Sequence, residues 1–307
     1  ASPLSSRPMP SPSAPLHDIA RLGQVFTPET VVRRMLALRR NAGRVLEPSC
    51  GDGAFARHLP GCTAIEVDAR HCPPGALHQD FFAYPESEKF ATIIGNPPYV
   101  RYQDIPETTR AWLPTEHFDG RSNLYLFFIE KCLRHLEPGG ELIFITPRDF
   151  LKATSAVNLN RLLYEAGTIT DFIELGDARI FEGATPNCAI WRFERGNFSR
   201  RTRYDAGEGS EDRHFLYAGG HLAFTHADYT VPLAELFSVK VGAVSGADAI
   251  FASDKHGTMD FVCSHTAKTG ATKRMIFQTP HPALKRHKKA LLARRIRRFD
   301  EQTWWQW

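Results

Sequence analysis

Along roughly the first two-thirds of the chain, short apolar runs alternate with stretches of helical period. Residues 28–40 (PETVVRRMLALRR) carry apolar positions at helical spacing, with Thr27 as N-cap and Pro28 in the first turn, and predict a helix. Apolar runs at 44–48 (RVLEP), 63–68 (TAIEVD), 76–79, 91–98 (ATIIGNPP), 141–147 (ELIFITP), 170–175 (TDFIEL) and 187–193 (NCAIWRF) predict strands, the third being the weakest. Helices are expected at 53–59, at 122–136, where Pro138-Gly139-Gly140 stops the run, and at 155–166. Strands that are apolar almost throughout, with helices between them, predict an α/β sheet covered on both faces. Such sheets bind ligands at the carboxyl ends of their strands.

Composition adds boundaries. Residues 1–16 are rich in Pro and Ser and predict a disordered leader before a domain at 17–196. At 196 the chain turns polar and Gly-containing (GNFSRRTRYDAGEGSEDR), so a second region is expected over 197–307. Of the 307 residues 42% are hydrophobic, enough for a core, yet no apolar run approaches the ~18–20 residues of a bilayer span. No signal peptide is evident, and a cytoplasmic protein that does not engage a membrane is expected. The six cysteines (Cys50, Cys62, Cys72, Cys132, Cys188, Cys263) form no CxxC pair and show no zinc-ligand spacing with His, so no metal is expected. The net charge of +4 is modest, but 284–298 (LKRHKKALLARRIRR) is dense in Lys and Arg. Such a run is either a solvated face or a surface suited to a phosphate backbone.

Four constellations fall at strand ends. After the first strand comes Glu47-Pro48-Ser49-Cys50-Gly51-Asp52-Gly53-Ala54-Phe55. Gly51 and Gly53 permit a close backbone approach and a turn into a helix. A carboxylate ahead of the glycines would repel a pyrophosphate but suits a cationic ligand. A plain strand-to-helix turn is the competing explanation. Glu66, at the end of the next strand, can accept from both hydroxyls of a ribose. In HQDFF, Asp80 can accept from an adenine amine while Phe81 packs on the ring. Last, Asn96-Pro97-Pro98-Tyr99 follows an apolar strand. Two consecutive prolines cannot continue a sheet and fix an extended turn. That turn can aim the Asn96 side-chain oxygen and the Pro97 carbonyl at the two hydrogens of one amino group. Accepting both draws the nitrogen lone pair out of conjugation and makes the nitrogen nucleophilic. Tyr99 can stack on a planar substrate.

With Gly23-Gln24-Val25-Phe26-Thr27-Pro28 ahead of the glycine turn, these motifs resemble the gamma-ordered (TaqI-like, Eco57I-like) adenine-N6 DNA methyltransferases of the NPPY amino-methyltransferase superfamily, over residues 21 to about 195. The resemblance implies a Rossmann-like, seven-stranded class I methyltransferase sheet with a smaller C-terminal target-recognition region. It implies S-adenosylmethionine as cofactor and S-adenosylhomocysteine as product. Thr27, Glu47, Cys50, Gly51, Gly53, Glu66, Asp80, Phe81 and Phe128 would hold the cofactor; Asn96, Pro97, Tyr99 and Phe181 would act on the substrate. Phe128 and Phe181 are also credible core residues. The implied partners are double-stranded DNA, from which the target adenine must be extruded, and a cognate restriction endonuclease. Residues 239–251, 272–277 and 284–298 resemble pieces of the recognition region, which at about 100 residues is expected to be abbreviated or compact. No Pro-Cys motif of the cytosine-C5 kind is present. Two other readings remain open: an NPPY enzyme acting on RNA bases or a protein glutamine amide, and a non-catalytic nucleic-acid-binding module on the same fold.

Overall fold

The structure is a computed structural model and describes residues 27–114, 118, 122–176, 187–236, 245–294 and 299–307. Internal contacts divide the chain between Thr230 and Val231 into two compact units.

The first unit is built on one ten-stranded sheet. Its strands are β1 (Val45–Glu47), β2 (Thr63–Glu66), β3 (Leu77–His78), β4 (Phe90–Gly95), β5 (Leu136–Pro147), β6 (Gly167–Glu174), β7 (Cys188–Arg195), β8 (Arg201–Asp205), β9 (Ser210–Ala218) and β10 (His221–Thr225). The spatial order is β3-β2-β1-β4-β5-β7-β6-β8-β9-β10. β1 to β5 run parallel, and β7 inserts antiparallel between β5 and β6. Alternate residues supply two cores. Ile93, Leu142, Phe144 and Trp191 face one of them; Ile94, Ile143, Ile145 and Ile190 face the other. The sheet is therefore covered on both faces, as its apolar strands predict. Helix α1 (Glu29–Leu36) buries Val31, Val32 and Met35; α2 (Leu124–His135) is buried along almost its whole length; α3 (Val157–Ala166) packs Leu159 and Leu163.

The seven expected strands lie in this sheet, but it does not end near 196. β8 to β10 extend it, with β8 parallel to β6. β8 alternates exposed and buried residues, with Thr202 and Tyr204 inward. Its charged outward positions produce the polar composition that imitates a linker. Two local expectations also shift. The stretch 53–59 forms a turn and a 3₁₀ segment, Ala56–His58, rather than an α-helix. Pro28, not Thr27, occupies the N-cap of α1, and no side chain caps that helix.

Beneath the sheet, a buried ionic cluster ties the chain entering β1 to its neighbours. Glu141 accepts from Arg192 Nε at 2.6 Å, from the Arg40 and Asn41 amides at 3.0 and 2.9 Å, and from Thr92 Oγ1 at 2.9 Å. Arg40 in turn reaches Asp171 at 3.1 Å. Removing one member of such a buried pair leaves an uncompensated charge, a loss of about 3–5 kcal/mol.

The second unit is small. A two-stranded antiparallel ribbon pairs Met259–Phe261 with Lys273–Met275. Its core is Phe251, Met275, Ile276, Leu284, Leu291, Trp304 and Trp307. Trp307 packs against Phe251, Phe261 and Phe277 at centroid distances of 5.3, 4.9 and 5.1 Å.

Candidate functional site

A cavity of about 520 Å³ opens at the carboxyl ends of β1, β2, β3 and β4. Four consecutive strand ends line it, through the segments Glu47–Asp52, Glu66–Arg70 and His78–Phe82 and through Asn96, Pro98 and Val100; α2 adds Leu124 and Phe128. Strand-end loops converge here because parallel strands deliver their exits to one edge of the sheet.

The glycine turn is shaped by its backbone. Gly51 and Gly53 have φ of +52° and +81°, which side chains beyond glycine rarely adopt. The Gly51 amide donates to Glu66 Oε2 at 2.7 Å, and the Asp68 amide to Glu66 Oε1 at 2.8 Å. Glu66 thus joins the first loop to the second. A carboxylate offers about four lone-pair sites, so two backbone donors leave capacity for a diol. Glu47 is buried, and its carboxyl accepts from the Phe55 and Ala56 amides at 3.4 and 2.7 Å. Desolvation pushes its pKa from 4.5 up to about 8, against the pull of those amides. A nearby cation would favour its charged form.

Asp80 caps the 3₁₀ turn Phe81–Ala83 by accepting from the Phe82 amide at 2.8 Å, and its other oxygen accepts from Thr109 Oγ1 at 2.5 Å. Phe81 stacks on Phe128, with centroids 5.1 Å apart and planes 29° apart. The two rings form one apolar wall.

Asn96 lies in the wall shared with Gly51 and Glu66. Its Nδ2 donates to Thr27 Oγ1 at 3.2 Å, which fixes the plane of the amide, and Ser49 Oγ donates to its backbone carbonyl at 3.2 Å. The Thr27 hydroxyl, expected to cap a helix, instead orients Asn96.

Thr27, Glu47, Cys50, Gly51, Glu66, Asp80, Phe81, Asn96 and Phe128 all line the cavity. Gly53 and Pro97 flank it, and Pro97 is buried. Tyr99 stands outside the cavity wall. Its hydroxyl donates to the Ile145 carbonyl at 2.9 Å, and its ring meets Tyr125 edge-on at 5.9 Å. Phe181 lies outside the described residues. Pattern reading did not find Thr109 or Asp68. Thr109 comes from a segment ten residues past the NPPY turn, with no sequence signal. Asp68, two residues beyond Glu66 in the same strand-end loop, could have been suspected; Arg70 holds it with bonds of 2.7 to 3.1 Å.

Residues 72–181 match the family described as Eco57I restriction-modification methylase, a span that holds Asp80, Phe81, the NPPY turn and α2. Among curated proteins the chain is similar to the type II methyltransferase M.HincII of Haemophilus influenzae, 30% identical over 57% of this chain and 38% of that one. It is also similar to the type II methyltransferase M.TthHB8I of Thermus thermophilus, 34% identical over 57% of this chain and 45% of that one. The chain thus spans less than half the length of these relatives. Among solved structures, a modification subunit assigned to a type I restriction enzyme of Vibrio vulnificus shares the fold, with a TM-score of 0.52, 13% identity and coverage of 68% of this chain and 60% of that one. Strands β3-β2-β1-β4-β5-β7-β6 make the seven-stranded Rossmann-like α/β sheet that the sequence implies, extended here by three further strands, β8, β9 and β10.

Proposed function

We propose that this chain transfers a methyl group from S-adenosylmethionine to N6 of an adenine extruded from double-stranded DNA, as the modification component of a restriction–modification system. One observation carries the reading: Asn96, on its rigid Pro-Pro turn, shares a single cavity with Glu66 and the Gly51 loop. The cavity's residues fit the cofactor by their chemistry. Glu66 and the Gly51 loop suit a ribose and an amino-acid tail; Asp80 and the Phe81–Phe128 wall suit a purine carrying an amine. When bound, S-adenosylmethionine supplies an electrophilic methyl group on a sulfonium sulfur.

The protein's own residues do the rest. Asn96, oriented by Thr27, and the Pro97 carbonyl accept the two amino hydrogens and stabilise positive charge developing on that nitrogen. Tyr99, with Phe181, offsets the stacking lost when the base leaves the duplex, worth ~1–3 kcal/mol per base. Residues 231–307, with exposed Lys285, Arg286 and Lys289, serve as the DNA-recognition unit. A cognate endonuclease is the further partner, and the cytoplasm is where both would act. Among the described residues no helix is long and apolar enough to cross a membrane.

The test is transfer of a labelled methyl group to duplex DNA, RNA and a protein extract offered in parallel, followed by digestion and identification of the labelled residue. N6-methyladenine in DNA is the expected product. Label in RNA or in a glutamine amide, with none in DNA, defeats the proposal.

A further inference from the structure

Lys131 is a buried ammonium to which the proposed chemistry gives no task. It lies on α2, only 3% exposed, three residues past Phe128 and so on the same helical face. Its Nζ donates to the Phe82 carbonyl at 2.6 Å and the Tyr84 carbonyl at 2.9 Å. The cation also lies 5.2 Å from the centroid of Phe81 and 5.9 Å from that of Phe82. Its partners are thus backbone carbonyls and ring faces, all of them in the turn that follows Asp80.

That turn needs outside support. It is a single 3₁₀ turn, Phe81–Ala83, leading from a two-residue edge strand, Leu77–His78. Short 3₁₀ segments hold themselves weakly. Yet the turn carries both groups proposed to meet the cofactor's base, the Asp80 carboxylate and the Phe81 ring. α2 grips it at three successive points: Phe128 stacks on Phe81, Lys131 binds two carbonyls, and His135 packs 5.5 Å from the Phe81 ring while its Nδ1 lies 2.8 Å from the Glu88 carbonyl oxygen. Burial also lowers the Lys131 pKa, the mark of a cation held at some cost in solvation.

From these contacts we infer that Lys131 is a positioning residue: it clamps residues 80–84 to α2 and so sets where Asp80 and Phe81 stand in the cavity wall. The inference rests on the cofactor reading above. Lys131 touches neither the cavity nor the substrate, so its effect is on cofactor affinity and not on the rate of the loaded enzyme.

The experiment measures S-adenosylmethionine and S-adenosylhomocysteine binding by calorimetry, together with methyl-transfer kinetics and thermal melting, on the full chain and on Lys131→Met and Lys131→Gln. Failure of the unsubstituted chain to bind either molecule overturns the cofactor reading itself, before any variant is considered. If it binds, Lys131→Met should weaken both affinities roughly tenfold, the scale on which losing an outer support acts. The KM for cofactor should rise with it, while kcat at saturating cofactor stays within twofold. Melting temperature should move little, because relief of a buried charge opposes the loss of two bonds. Lys131→Gln, which keeps a neutral donor, should recover part of the affinity. Affinities within twofold of the unsubstituted chain overturn the inference, and so does a fall in kcat that matches the rise in Kd. If Lys131→Met does not fold, Lys131→Gln alone decides by the same criteria; failure of both to fold assigns Lys131 to the fold itself and also overturns it.

Discussion

The two units of this chain solve the same packing problem with different means. The first closes two cores against one sheet, and its strand ends hand their loops to a single cavity. The second has a ribbon of two three-residue strands and relies on aromatic packing around Trp307. In the first unit a site is a by-product of parallel topology: the loops after β1, β2 and β4 are aimed by buried strands, and β3 adds its loop from the exposed edge. In the second unit the proposed DNA contacts rest on exposed Lys285, Arg286 and Lys289 over a small core. Sites that demand fixed geometry belong on the first kind of scaffold, whereas contacts to a phosphate backbone tolerate the second.

The sharpest test removes the group that the first scaffold aims. Asn96→Ala should lower kcat by about 10³-fold or more, on the scale of losing a preorganised charge-stabilising group, while S-adenosylhomocysteine affinity stays within about threefold. Calorimetry and single-turnover transfer read the two effects separately; loss of affinity would place Asn96 in the cofactor site instead.

The next test separates the units. Trp307→Ala should cost the second unit about 3–5 kcal/mol, as for other buried aromatic truncations. DNA binding by fluorescence anisotropy should collapse while cofactor binding persists. Parallel loss of both would show that the units do not hold their structure independently.

A third concerns Glu47. Its pKa in the folded chain is raised from 4.5 to about 8 by burial. A carboxyl raised on folding stabilises the fold fully below its unfolded pKa, and that contribution is lost as pH rises through 4.5 towards 8. Ligand-free protein should therefore lose stability, up to a few kcal/mol, between pH 5 and pH 8.5, beyond any slope from other groups. Glu47→Gln should flatten that slope, as read by denaturant titration at several pH values. An unchanged slope would show that Glu47 ionises freely.

The smallest effect is expected at Thr109. Thr109→Val removes the hydroxyl that donates to Asp80, and should weaken cofactor binding about threefold to tenfold, the net worth of one ordinary hydrogen bond. Thr109→Ser should restore it. Equal loss in both variants would assign Thr109 to packing.

Much of the site was legible because its signals are local. Glycines with positive φ, a doubled proline and strand-end carboxylates announce themselves within a few residues. β8 to β10 were not legible, since half-exposed antiparallel strands with charged outward positions look like a polar linker until a partner strand is known. Tyr99 was read as able to stack on a planar substrate; that its hydroxyl also donates to the Ile145 carbonyl on β5 was not legible, because no pattern near residue 99 signals that bond.

By itself, then, the sequence determined the order of strands as far as β7, the two-faced burial of the central strands and the identity of the loops at their ends, because hydrophobic period and backbone permissiveness are written residue by residue. Only the tertiary structure decided that Thr27 turns to Asn96 instead of capping a helix, that Glu47 sits buried among backbone amides, and that α2 grips the Asp80 turn through a buried lysine. Those outcomes depend on which groups lose water together and which donors they then meet; for Thr27 and Lys131 the partners stand 69 and 49 positions away, and for Glu47, whose amide partners are only 8 and 9 positions away, it is burial by the rest of the fold that decides.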